Sequence, residues 1–467
     1  MTVPALARRT PGAATVFRAL REAVVTMLAA IATLLCALAI DPEPGPAVLA
    51  VVLCISLSRS QLDRDRRGRI EAAIVLPAVG LVAVGVGALL RLAPWIGALV
   101  FIAGMFLSIW LRRFGPMARR AGSLIALPFV ALLSTPYIPA TRVSPALAPL
   151  MPVVVALLAL LWVGALHALA RRARFLGPAQ MPERQSPAPA RTASSLRPMA
   201  STRMAIQMAA ALAVSFVIGY AFFAERWSWI VLTAFIVNSG SRGRLDVAYK
   251  SVLRVLGAAA GTVIALSLSM QIGSHGQIAV AQILVAIFLG VWLRPLGYAW
   301  WALFVTIALA LLQGFTGSPA PHMLWPRLEE IAIGAVIGVA SAWLVLPVRS
   351  TAALRRRLAD ALAALADALD PATAIRTPDK FVAAVADVEQ MRPAFNASRF
   401  VTRRFQPMQP ADWLDTLAAC RDPAIALIDK GETPGSVRRA VGAARKSMRE
   451  PQEILPALQN LHRSMTE

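Results

Sequence analysis

The sequence predicts an all-α polytopic membrane protein: about twelve transmembrane helices in two parallel six-helix repeats, followed by a cytoplasmic helical domain. Three observations predict it. Of 467 residues, 57% are hydrophobic and 15% charged, whereas soluble domains carry about 25% charged residues. Apolar runs recur along roughly the first 350 positions, each long enough to cross a hydrocarbon core of about 30 Å as a helix. The basic residues sit in short clusters between those runs, which is where topology signals lie. Alternating strands of about ten residues, the signature of a membrane barrel, do not occur.

Spans are expected at about 22–40, 45–58, 70–91, 94–111, 121–136, 147–169, 203–223, 227–240, 251–270, 277–293, 297–314 and 328–346. The first is preceded by Arg8, Arg9, Arg18 and Arg21 and ends Ala37-Leu38-Ala39, a pattern that resembles a secretory signal with an A-x-A cleavage site. An uncleaved helix is the favoured reading, because the charged region is long and cleavage would leave the first half one span short.

The loops alternate in charge. One set holds Arg59, Arg64, Arg66, Arg67 and Arg69, then Arg112, Arg113, Arg119 and Arg120, then Arg171, Arg172 and Arg174, then Arg242, Arg244 and Lys250, then Arg294. The other holds Asp41 and Glu43, Arg142, Glu225 and Arg226, His275, and the stretch Phe315–Trp325, which has no Lys or Arg. The positive-inside rule makes the first set cytoplasmic. Both termini are then cytoplasmic, as an even number of spans requires. Trp95, Trp227, Trp229 and Trp325 lie near span ends, where aromatic belts form. Glu71, Arg91 and His167, also near span ends, read as interfacial.

The formal charge of +22 follows from these loops and does not mark a nucleic-acid partner. Cys36, Cys54 and Cys420 have no zinc or disulfide spacing. No metal motif, phosphate-binding loop or nucleophile–base pair stands out, so neither a cofactor, an enzyme activity nor ATP-driven transport is expected.

Four regions follow: a first transmembrane half over 1–170, a linker over 171–202 rich in Pro, Ser, Ala and Arg, a second half over 203–348, and the helical domain over 349–467. A gapless shift of 182 positions aligns the halves. Trp110-Leu111-Arg112 and Gly115 fall on Trp292-Leu293-Arg294 and Gly297, and Ser58-Arg59-Ser60 falls on Gly240-Ser241-Arg242. Six spans per half is an even number, so the two share one orientation. In the final region, Leu354, Leu358, Leu362, Leu365 and Leu369 recur at helical spacing over 351–370. Further helices are expected at about 378–399, 411–430 and 434–449.

An ionisable group inside a span is costly, by about 2.5–3.5 kcal/mol on insertion scales, so each one needs a reason. The second half supplies three segments. In Trp227–Arg242, Thr233 and Asn238 put hydrogen-bonding groups on an apolar span, and Trp229 with Trp227 reads as an interfacial anchor or as a stacking surface for an aromatic ligand. In the second segment, Arg254 stands one turn before Gly257 and Gly261, a pair that shares a helix face and admits another backbone. Arg254 either snorkels to lipid phosphates or faces the bundle interior and pairs with a carboxylate. In the third, Glu329 and Glu330 precede Gly334 and Gly338; the acids either carry a proton or stabilise the helix dipole. Gln207, Gln282 and Gln313 are further polar points that fit interhelical hydrogen bonding.

Residues 205–349, through Trp227–Ala234, the polar loop after it, Arg254–Gly261, and the segment from Arg327 towards Pro347, resemble the fusaric acid resistance family, which includes bacterial aromatic acid exporters. Many members have Thr after the first Gly of the arginine–glycine segment, where this chain has Ala258, and the first half reads Val75-Leu76-Pro77-Ala78 at the equivalent place. The resemblance implies an inner-membrane exporter of small aromatic or hydrophobic carboxylic acids, driven by proton motive force. On that reading Arg254, Asn238, Trp229 and Thr233 bind substrate and Glu329 or Glu330 couples protons. The expected partners are a small organic anion and the lipid bilayer, with a homo-oligomer and a periplasmic adaptor protein compatible with them. An anion channel of the same fold and a non-transporting membrane scaffold are the alternatives.

Overall fold

A computed structural model describes residues 13–42, 44–60, 66–134, 150–177, 200–224, 226–272, 276–315, 324–372, 376–405, 409–432 and 434–467. Most of the expected linker lies outside them, as do Arg8, Arg9, Glu43, Arg64, Arg142, Glu225, His275 and the side chain of Gln313. Among the described residues every regular element is helical. That is the solution lipid imposes, because each backbone N–H and C=O must find its partner within its own segment.

The chain divides into two units: Met1–Pro182 with Arg191–Ser239 and Lys250–Leu346, and Glu183–Ala190 with Gly240–Tyr249 and Pro347–Glu467. The first unit holds α1 (Ala13–Ile40), α2 (Pro44–Ser60), α3 (Arg66–Leu92), α4 (Pro94–Trp110), α5 (Pro116–Ser134), α6 (Met151–Arg172), α7 (Ala200–Phe222), α8 (Trp227–Asn238), most of α9 (Arg244–Ile272), α10 (Gly276–Leu293), α11 (Tyr298–Phe315) and α12 (Leu324–Leu344). Each expected span falls on one of these helices. Among the described residues seven of them, α1, α3, α4, α6, α7, α9 and α10, are long and apolar enough to cross a membrane, while α2, α8 and α11 are shorter apolar helices.

The helix starts repeat at the offset read from the sequence. Pro94 of α4 falls on Gly276 of α10, and Pro116 of α5 on Tyr298 of α11. Short 3₁₀ turns, Leu111–Phe114 and Arg294–Leu296, precede Gly115 and Gly297, which both have positive φ. Packing repeats as well: α1 lies against α2 and α6 as α7 lies against α8 and α12, and α4 against α5 as α10 against α11. The offset drifts by four residues between the starts of α3 and α9 and is lost at the last helix of each set, since α6 begins at Met151 and α12 at Leu324.

The two sets share a core instead of forming separate bodies. Phe101 of α4 meets Phe129 of α5 and Phe216 of α7 edge-on, at centroid separations of 5.3 and 5.6 Å, and Phe216 continues to Trp227. Such pairs add about 0.5–1.5 kcal/mol beyond area burial, which matters where lipid supplies no hydrophobic drive between helices. The sequence places Trp227 and Trp229 at an interface; the structure buries both. Trp95 and Trp325 are exposed, as belt residues are. His167 is a further correction to the interfacial reading. It is buried, with Nε2 3.0 Å from the Ser58 hydroxyl of α2 and Nδ1 2.9 Å from the Val163 carbonyl.

The second unit holds α13 (Ser350–Ala368), α14 (Asp379–Glu389), α15 (Arg392–Thr402), α16 (Pro410–Ala419), α17 (Arg421–Asp429), α18 (Gly435–Ser447) and α19 (Pro451–Thr466). The five leucines expected on one face of α13 are all buried, against Phe381, Val385, Trp413, Leu417 and Leu458 among others. The expected helix at 378–399 is two helices, because Pro393 stands in the first turn of α15, where its missing N–H costs nothing. Pro423 does the same at the start of α17, dividing the expected 411–430 helix. α19 was not expected, although Ile454, Leu458, Leu461 and Met465 have helical spacing and are buried. Burial among these helices pushes the Cys420 thiol up to about 12, so it behaves as a small core residue.

Candidate functional site

α8 carries three of the expected residues, Trp229, Thr233 and Asn238. Of its residues only Ile236 is not buried, so its polar groups have no water to bind and must be satisfied inside the protein. The Asn238 amide does this within its own helix, donating from Nδ2 to the Ala234 carbonyl at 2.9 Å. The Thr233 hydroxyl is buried without a hydrogen-bond partner.

The glycine pair of α12 explains how closely α8 is held. A Cβ on Gly334 would stand 2.6 Å from the Ile230 carbonyl oxygen and 2.9 Å from the Thr233 Cβ, and one on Gly338 would stand 2.9 Å from the Asn238 amide nitrogen. The pair on α9 does the same against α11. A Cβ on Gly257 would stand 2.9 Å from the Ala302 Cβ, and one on Gly261 2.7 Å from the Leu303 carbonyl oxygen. Both pairs are helix-packing positions, as their spacing predicts.

Arg254 of α9 is 1% exposed, so it does not snorkel to lipid phosphates. It also has no carboxylate partner among the described residues. Its Nη1 donates to the Thr306 hydroxyl of α11 at 3.3 Å, and that hydroxyl donates in turn to the Ala302 carbonyl at 2.8 Å. Among the described residues its Nε and Nη2 have no hydrogen-bond partner. Leaving part of a guanidinium unsatisfied in a low-dielectric interior costs several kcal/mol. The hydroxyls of Ser251 and Thr262 are also buried without partners. With Arg254 they form one polar stripe along α9, since positions three and eight apart fall near one face. The buried Tyr298 hydroxyl, at the start of α11, has no hydrogen-bond partner and interacts electrostatically with Arg254.

Arg327 of α12 brings a second buried cation to the same region. Its guanidinium carbon lies 4.1 Å from the centroid of the Trp229 ring, a contact worth about 2 kcal/mol where water is excluded. It is repelled by Arg254 and attracted by Glu330. Glu330 is buried and stands 3.1 Å from Nε of Arg226, just before α8. Glu329 is exposed. The guanidiniums of Arg226, Arg254 and Arg327 thus interact around the buried Glu330 carboxylate or with one another. Among the described residues, α8, α9 and α11 each carry a buried hydroxyl or guanidinium donor with no hydrogen-bond partner.

The structure thus groups Trp229 with Arg327 and Glu330, Thr233 and Asn238 with the α12 glycines, and Arg254 with Thr306 and Tyr298. Sequence reasoning missed Arg327, Arg226, Ser251, Thr262, Tyr298 and Thr306 as neighbours. Ser251 and Thr262 were legible, standing three residues before and eight after Arg254 on the same helix, but the others come from outside α9. Of the polar points within spans, Gln207 is interhelical glue, its amide donating to the Val345 and Leu346 carbonyls at the end of α12 at 2.9 and 3.2 Å.

No curated protein matches the chain. Residues 209–341, from within α7 to within α12 and including every residue of this site, match the fusaric acid resistance protein-like family.

Proposed function

We propose that this protein is a transporter that exports small aromatic or hydrophobic carboxylic acids across a bacterial inner membrane, with both termini in the cytoplasm, driven by proton motive force. The observation that carries the reading is Arg254, wholly buried yet with two guanidinium nitrogens unpartnered. A carboxylate accepting from those nitrogens converts a costly buried cation into a charge-assisted pair. Ser251 and Thr262 offer hydrogen bonds along the same face of α9, and Trp229, which covers Arg327, offers a ring for the organic body. The family match at 209–341 supports the same reading independently of this geometry.

Protonation of Glu330 is the coupling step in this scheme. Its carboxylate holds Arg226 at 3.1 Å; a proton arriving from the outer side removes that attraction and frees Arg226 from α12, which couples opening of the site to the proton gradient.

Counterflow of radiolabelled benzoate in proteoliposomes tests the assignment. The wild-type chain is expected to accumulate label. Arg254→Gln is expected to lose at least about tenfold in initial rate, the effect of removing one charge-assisted bond worth about 1.5–3 kcal/mol. Full transport by Arg254→Gln would sink the site, and no counterflow by any aromatic or aliphatic carboxylate would sink the function.

A further inference from the structure

One surface of the second unit is at odds with the rest of it. α15 turns Ala394 and Phe395 into the core. Its Arg399 is tied to α16 through Asp412 at 3.1 Å and Asp415 at 2.9 Å, and Arg392 reaches Asp415 at 3.3 Å. The end of the same helix and the turn after it present Phe400, Val401 and Phe405, which are 90%, 70% and 84% exposed. Arg403 and Arg404, between them in sequence, are exposed as well. Two phenylalanines left this open in one short segment mark a surface meant to be covered.

We propose that Phe400, Val401, Arg403, Arg404 and Phe405 form a lipid-docking patch that seats on an anionic bilayer. Aromatic side chains flanked by arginine suit the interface, where rings enter the headgroup–acyl boundary and guanidiniums meet phosphate oxygens. Charge complementarity selects this occupant over a second copy of the chain. In a two-fold contact the same patch faces itself, which sets Arg403 and Arg404 against their own duplicates. The ion pairs to α16 hold α15 in place, so docking orders no new structure and loses little entropy.

Spin-label depth measurement on the full-length protein tests this. The label is placed by Phe405→Cys in a Cys36→Ser background, since Cys54 and Cys420 are buried. The protein is reconstituted singly into nanodiscs of phosphatidylcholine, with or without phosphatidylglycerol. Collision with a water-soluble nickel chelate is expected to fall about fivefold when phosphatidylglycerol is present, and collision with oxygen to rise. Arg403→Glu with Arg404→Glu is expected to restore the nickel collisions. High nickel access in both lipids would overturn the proposal by showing the patch in solvent. Protection that appears only with two proteins per disc would assign the patch to a second copy, and protection indifferent to lipid charge and to the arginine substitutions would assign it to another part of the chain. Phe405 is exposed and outside the helix, so its replacement leaves the fold in place.

Discussion

At the scale of single residues, burial separates side chains that the sequence presents as equals. Glu329 and Glu330 are adjacent, but a helix turns about 100° per residue, so one is exposed and the other is buried beside Arg226. The proposed coupling therefore belongs to Glu330 alone. Glu330→Gln is expected to flatten the pH dependence of benzoate counterflow, while Glu329→Gln is expected to leave it unchanged. A pH profile shared by both variants and the wild type would exclude Glu330 as the coupling group. Trp229 shows the same dependence on surroundings. Its position at a span end suggests a lipid anchor, yet one face of its ring is covered by Arg327, a residue almost a hundred positions away in the chain.

At the scale of elements, the glycine pairs decide how near helices approach. Gly257 and Gly261 bring α9 against α11, and Gly334 and Gly338 bring α12 against α8. Gly261→Leu or Gly334→Leu is expected to destabilise the protein by more than about 1–3 kcal/mol, the cost of overpacking. Fluorescence-detected size-exclusion after heating should show a lower melting point for both. Gly164→Leu on α6, where an added Cβ meets nothing within 4 Å, is the control expected to behave as wild type. The spacing alone was enough to nominate these four positions. Which helix each pair faces was not legible, because a glycine pair specifies a flat face and not the partner that fills it. The tail shows the converse limit: Pro393 and Pro423 were visible as residues, but reading them as helix starts instead of loop positions depends on the backbone direction on either side.

At the scale of the whole molecule, duplication accounts for the membrane unit. Helices α1–α5 and α7–α11 follow one offset to within about five residues at their ends, and helix pairs packed in the first set are packed again in the second. An even number of spans per set places equivalent loops on the same side. Single-cysteine labels at Gly115 and Gly297 are accordingly expected to react with a membrane-impermeant maleimide from the same side of the membrane, in a background lacking Cys36. Labelling from opposite sides would refute parallel repeats. The site is not duplicated along with the helices. Position 254 aligns with Ala72 of α3, so the first set has no counterpart of Arg254, and the family match falls within the second set.

The sequence by itself determined the membrane class, the positions of the apolar helices, the repeat and the glycine pairs. These depend on length, composition and spacing, which are properties of one segment at a time. It also nominated Arg254, because an arginine in an apolar run is costly wherever it faces. Only the tertiary structure decided that Arg254 faces inward with donors to spare, that Arg327 lies near it across helices, and that Glu330 and not Glu329 meets Arg226. The physical reason is that the charge balance of a buried site is a sum over groups from several helices. No single segment contains that sum; packing brings its members within reach of one another.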